Sequence, residues 1–280
     1  LTGFGPLTLD AIAAPLGLPP ASIATALAAL EREGYVMRGR FTPGAATDEW
    51  CERHLLARIH RYTVKRLRRE IEPVERADFM RFLFHWQHLT PDTRGTGRDA
   101  LAGALIGGMD DAGRWALVQR QAPPDDDAPA PKRGLATTDS DALEHIVWTL
   151  LRRYGVVFWR LLEREADWLP SWRELVRVLQ RLEARGEIRG GRFVAGLAGE
   201  QFALPEAIPI LRELRRQPGD GQYVCVTGAD PLNLAGTLLP GDKVPALAGN
   251  RVLFRDGVPV ASLVSGTFHY AADLSPAARE

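Results

Sequence analysis

The sequence predicts an α+β chain, mostly helical, with two winged-helix units and a small C-terminal β-barrel. Three observations predict it. The first is an internal repeat. Leu27 to Phe41 reads LAALEREGYVMRGRF, and Leu179 to Phe193, 152 residues further on, reads LQRLEARGEIRGGRF. Seven of the fifteen positions are identical: Leu27/Leu179, Leu30/Leu182, Glu31/Glu183, Gly34/Gly186, Gly39/Gly191, Arg40/Arg192 and Phe41/Phe193. The second is the form of each copy. An amphipathic helix is followed by a glycine where a C-cap needs a left-handed residue, then by a short strand that turns through glycine. Recognition helix followed by wing is the pattern of a winged helix, and two of them favour a nucleic-acid ligand over a small-molecule substrate. The third is the change after Gln222 to short β segments separated by turns.

Each element follows in order. A first winged helix is placed at residues 1–45: TLDAIAAPLG gives a short helix stopping near Pro15 and Gly17, Pro19-Pro20 opens the helix to Glu33, and YVMRGRF forms the wing. A helical domain is placed at 46–121. Thr47 is expected to cap its long first helix, with Asp48 and Glu49 in the first turn where the dipole favours acids. A second helix from about Arg76 carries DFMRFLFHWQHL and stops at Thr90-Pro91. Residues 92–113 are glycine-rich, 114–121 alternate like a strand, and 122–138 read as a flexible linker rich in proline and acid. The second winged helix, 139–217, is predicted from helices at 141–153 and 156–166, a capping box at Ser171-Trp172-Arg173-Glu174, a wing over 187–204 and a closing helix EAIPILRELRR. For 218–280, the segments YVCVTG, AGTLLP, NRVLFRDG and VPVASLVSG suggest a small barrel, with Asp256-Gly257 as a hairpin turn.

Composition narrows the function classes. The chain has 280 residues, is 45% apolar and carries 35 basic and 35 acidic residues, so a nucleic-acid surface has to be a local patch. Cys51 and Cys225 match no metal or redox spacing and fit a reduced, cytoplasmic compartment. No apolar run approaches the ~20 residues that span a bilayer, and neither a secretory leader nor an initiating methionine is present. The chain therefore reads as a fragment of something larger. No GxxxxGK[ST] loop appears, the six histidines lack metal-ligand spacing, and no cofactor is expected.

Several side chains are candidates for contact with nucleic acid. On the helix Arg53–Ile71, Leu56, Ile59, Thr63, Leu67 and Ile71 gather on one face and Arg58, Arg61, Lys65, Arg68 and Arg69 on the other. These cations have no interleaved acid, so phosphates would relieve their repulsion. The bland reading is a solvated face paired with Glu70, Glu72 or Glu75. In the second recognition helix, Arg173, Arg177, Gln180 and Arg181 lie opposite the apolar stripe; the first has Ala21, Thr25, Ala28 and Ala29 there, a face fit for packing against protein. Phe79, Phe82 and Trp86 follow a core stripe, and the alternative is an exposed Trp86 that stacks on a base. Gln119 and Gln121 share a strand face, and Asp230 precedes Pro231 in a turn.

Three stretches carry a family resemblance: EWCERHLLARIHRYTVKRLRREIEPVERADFMRFLFHWQHL, LLRRYGVVFWRLLEREADWLPSWRELVRVLQRLEARGEIRGGRFVAGLAGEQFALPEAI, and DPLNLAGTLLPGDKVPALAGNRVLFRDGVPVA. Together they resemble the region after the motor in bacterial Lhr (large helicase-related) superfamily 2 helicases. The resemblance implies an accessory module that guides single-stranded DNA in repair, partnered by RecA-like motor domains that bind ATP. It implies a tracked strand with an aromatic stacked on a base, for which Trp86 is the candidate. Relative to the family, the motor is absent and a further winged-helix segment between about Gly103 and Arg114 is missing. The assembly is also similar to certain bacterial DNA glycosylases, which makes a glycosylase acting through Asp230 or the Gln119/Gln121 pair one alternative. A structural module that contacts only the motor or other subunits is the other. Whether this chain is itself an enzyme stays open.

Overall fold

A computed structural model describes residues 3–90, 93, 140–163, 165 and 169–271. The chain divides into two compact units, Leu1–Glu70 and Ile71–Glu280. The sequence grouped 46–121 as one helical domain; the units instead part inside it. The linker at 122–138, the strand at 114–121 and the 103–114 region lie outside the described residues.

In the first unit the order is β1 (Leu7–Thr8), α1 (Leu9–Leu16), α2 (Pro20–Arg32), β2 (Val36–Gly39), β3 (Glu49–Glu52) and α3 (Arg53–Arg69). The sheet order is β1-β3-β2, all antiparallel, so β2 and β3 are the two arms of a wing. Ile23 and Leu27 of α2 are buried with Ala13, Val36 and Trp50 as a small core. The expected Thr47 cap is corrected here: Glu49–Glu52 is a strand, because Trp50 and Cys51 are buried and the segment pairs with β2. The helix cap falls five residues later, where the Glu52 carboxylate accepts from the His54 and Leu55 amides at 2.7 Å each.

In the second unit α4 (Arg76–Trp86) is followed, after the undescribed stretch, by α5 (Ser140–Tyr154), β4 (Val156–Phe158), α6 (Trp159–Leu162) and α7 (Trp172–Arg185). The wing is β5 (Arg189–Gly191) and β6 (Gln201–Ala203), then comes α8 (Ala207–Arg216). The sheet order β4-β6-β5 is that of the first unit, β1-β3-β2. The helix expected over 156–166 opens as a strand and is helical only over Trp159–Leu162: Val156-Val157-Phe158 is β-branched and aromatic, fully buried, and pairs with β6. Ser171 and Glu174 make the capping box that opens α7.

The last four strands are β7 (Tyr223–Thr227), β8 (Arg251–Arg255), β9 (Val258–Val264) and β10 (Thr267–Tyr270), in the order β10-β9-β8-β7. This is an open antiparallel sheet, and the expected barrel is corrected: β7 and β10 are edges that do not meet. AGTLLP forms a turn closed by an Ala235–Leu239 bridge in place of a strand. Asp256-Gly257 is the hairpin turn the sequence predicts, with φ of 50° and 78°. One face of the sheet (Val224, Val226, Val252, Phe254) joins Phe79, Phe82 and Phe84 of α4 and the winged-helix residues Leu175, Val178 and Leu182 in a single core. The sheet therefore shares its core with the second winged helix.

Candidate nucleic-acid interface

The repeat builds the same device twice. In the first copy the Tyr35 amide donates to the Leu30 carbonyl and the Gly34 amide to that of Glu31, both at 2.9 Å; in the second, Glu187 donates to Leu182 at 3.0 Å and Gly186 to Glu183 at 2.9 Å. These are matching helix C-termini, closed by glycines with φ of 78° and 79°. They explain why Gly34 and Gly186 coincide. The match extends past the fifteen aligned positions. The Glu49 carboxylate accepts from the amides of Phe41 and Thr42 at 2.8 and 2.7 Å. Its counterpart Gln201, the same 152 residues on, accepts from Phe193 and Val194 at 2.8 Å each and donates to the Val194 carbonyl at 3.0 Å. Both side chains are buried and fasten the wing turn to the second wing strand. Donation from the Thr42 side chain and then its amide holds the Glu49 carboxyl below its ordinary value. Sequence comparison stopped at Phe41/Phe193 and missed this pair, because Glu and Gln differ and the wing strands were not paired.

On α7 the buried residues are Leu175, Val178, Leu179 and Leu182, and Arg173, Arg177, Gln180 and Arg181 are exposed opposite them, as the sequence predicts. Neither Arg173 nor Arg177 makes a salt bridge within the described residues. Arg181 donates to the Ser140 hydroxyl at 3.3 Å, and Gln180 donates to Glu200 of the wing turn at 2.9 Å. Arg185, one turn further, is committed to Glu144 and Glu187 at 2.6 Å each. Arg192 adds an exposed cation in the wing turn. The corresponding face of α2 is Ala21, Thr25, Ala28 and Ala29, without charge.

On α3 no residue is buried, and the helix contains no acid. Arg58, Arg61, Lys65 and Arg69 are exposed; Arg68 is half-buried. Of the acids the sequence offered as partners for this face, Glu70 pairs with Arg66 at 3.2 Å, and Glu72 pairs with Arg215 of α8. The expected apolar face is only half-covered, with Leu56 and Leu67 half-buried and Ile59 and Thr63 exposed, and Ile71 lies past the helix end. Tyr62, 68% exposed among these cations, was missed in the sequence because it falls between the two faces.

Trp86 belongs to the core stripe. Its indole N–H donates to the Arg152 carbonyl at 2.8 Å, and its ring lies 5.5 Å from that of Phe82, centroid to centroid. It is half-buried, and its polar edge is anchored to α5. Asp230 caps a turn, its carboxylate accepting from the Leu232 amide at 2.7 Å. Gln119 and Gln121 lie outside the described residues. No group of three metal-binding side chains occurs among the described residues, and no single helix there is long and apolar enough to cross a membrane.

Comparison with known proteins places this geometry. Residues 136–223 match the winged-helix domain of the large helicase-related protein, and residues 1–39 match the DprA winged helix domain. Over 140 residues, 48% of this chain, the sequence is 34% identical to the Lhr helicase/uracil glycosylase of Escherichia coli (strain K12), of which the match covers 8%. Over 98 residues, 35% of the chain, it is 34% identical to the Lhr helicase/probable uracil glycosylase of Mycolicibacterium smegmatis, of which it covers 6%. The matches span less than a tenth of either relative, and the family-model match lies over the second winged helix.

Proposed function

We propose that this chain is a nucleic-acid-binding accessory module of an Lhr-type ATP-dependent DNA helicase, guiding single-stranded DNA beside RecA-like motor domains in cytoplasmic DNA repair. The observation that carries the reading is the exposed arginine row of α7, with Arg173 and Arg177 outside any salt bridge among the described residues, on the winged helix that matches the helicase family. A guanidinium held in solvent beside a wing suits a phosphate, and each such contact would release counterions. Arg58, Arg61, Lys65, Arg68 and Arg69 of α3 would extend the phosphate track, and the alanine face of α2 suits packing against protein.

The test is fluorescence anisotropy of labelled single-stranded and duplex DNA across a salt series. The double variant Arg173→Glu/Arg177→Glu is expected to weaken single-strand binding at least tenfold and to lower the slope of log K against log salt by about 1.4, two contacts at ~0.7 each. Unchanged affinity and slope would sink the reading in favour of a module that contacts only protein. The names of both relatives include uracil glycosylase, which supports a second reading as a DNA glycosylase-like domain. Alkali-labile breaks in a uracil-containing oligonucleotide, formed by this chain alone and lost on Asp230→Asn, would favour it.

A further inference from the structure

The open sheet has a second face. In antiparallel pairing directly opposed residues point to the same side, so the registers Tyr223↔Arg255, Cys225↔Leu253, Arg251↔Leu263 and Phe268↔Leu263 assign one set of side chains to one face. The alternate set, Val224, Val226, Val252 and Phe254, is buried in the core. The first set therefore faces solvent. Its aromatic members are large and exposed: Phe268 at 63%, Tyr223 at 45% and Tyr270 at 43%. Phe268 and Tyr270 lie with their rings nearly parallel, 12° apart at 6.2 Å, and Arg255 sits over the Tyr223 ring at 5.7 Å. Arg251 and Arg255 are exposed and make no salt bridge within the described residues. The four strands YVCVT, RVLFR, VPVASLV and TFHY contain no acidic residue at all.

Exposed aromatics with arginines on an acid-free sheet are poorly suited to water and well suited to an unpaired polyanion with flat faces. Bases stack on such rings whatever their sequence, and the arginines meet the phosphates between them. A duplex keeps its base faces stacked and cannot use the rings. A protein partner would be expected to find the face's apolar centre attractive too, but two unneutralised arginines and no acid favour an anionic chain. We propose that this sheet face is a stacking platform for single-stranded nucleic acid, with Phe268, Tyr270 and Tyr223 receiving bases and Arg251 and Arg255 receiving phosphates. The class of ligand rests on the function proposed above; the site is distinct from α7.

The protein carries its own reporter. Cys225 is exposed on this face, opposite Leu253, and the other cysteine, Cys51, is fully buried. Alkylation of Cys225 by N-ethylmaleimide is followed by mass spectrometry on the whole chain, with and without an oligothymidylate of roughly 16 nucleotides at a concentration that saturates anisotropy. Single-stranded DNA is expected to slow alkylation at least tenfold, the matching duplex much less. Phe268→Ala, and separately Arg251→Glu/Arg255→Glu, should each remove the protection and weaken binding roughly tenfold, with the thermal unfolding midpoint unchanged because these side chains are exposed. Unprotected Cys225 in a chain that still binds the oligonucleotide would overturn the platform and leave the α7 reading standing. Equal protection by duplex would overturn stacking. Protection without DNA that disappears on dilution would show a self-association face and overturn the proposal, and no binding at all would overturn both readings.

Discussion

Glu49 and Gln201 occupy one position in two copies of the same unit, and they solve one problem with different chemistry. Each buried oxygen takes two turn amides that would otherwise lose water with nothing in return. Only the carboxylate titrates. Donation from Thr42, side chain first and then amide, lowers its folded pKa below the ordinary 4.5. The stability it contributes is therefore present above 4.5 and lost as pH falls through the lower folded value. Gln201 shows that an amide serves in the same place. Glu49→Gln is accordingly expected to keep the first wing and to flatten the acid-side loss of stability of residues 1–70, followed by urea unfolding in a series from about pH 7 to about pH 3. An equally steep loss in the variant would mean that Glu52, also depressed by amide donation from His54, dominates the acid response.

At the scale of elements, local signals were readable where a residue's own chemistry decided the structure. The capping box of α7, the glycine C-caps, the Asp256-Gly257 turn and the solvent face of α7 all follow from nearest neighbours. Elements decided by partners distant in sequence were not readable. Glu49–Glu52 carries acids that suit a helix start, yet it is a strand because β2 lies beside it; β4 is a strand because β6 does. The barrel failed on closure, which depends on whether β10 reaches β7 and leaves no trace in either strand. The same long-range logic decided the candidate site: Trp86 has a core spacing that fits the structure, but only the Arg152 carbonyl fixes its N–H. The β8–β9 hairpin gives a sharp test of such a contact. Gly257 has φ of 78°, and a Cβ there would stand 2.1 Å from the Ala77 carbonyl oxygen of α4. Gly257→Ala must both strain the turn and push the hairpin off α4, an expected loss of about 2–4 kcal/mol in urea unfolding of the second unit. A loss below about 1 kcal/mol would mean that hairpin and helix are only loosely seated.

At the scale of the molecule, the two units differ in how much core they own. The first has five buried apolar residues in its cluster, Ala13, Ile23, Leu27, Val36 and Trp50, within seventy residues, a size at which a core alone gives marginal stability. The second unites the four helices α5 to α8 of the winged helix, α4 and the sheet in one cluster. Denaturation is therefore expected in two steps, the first unit going first and with the shallower dependence on urea, since the slope follows the surface exposed. Trp50 is the sole tryptophan before residue 71 and is 6% exposed, so it reports that step alone. Subtracting the fluorescence of Trp50→Phe from that of the unaltered chain should give a transition with a midpoint below that of the far-ultraviolet circular dichroism, which is weighted to the larger unit. Coincident midpoints would mean that the first unit draws its stability from the rest of the chain. The α3 cations would then be carried by a surface that cannot fold apart from the second winged helix, and reversing Arg61 and Lys65 would have to be read together with the α7 variants.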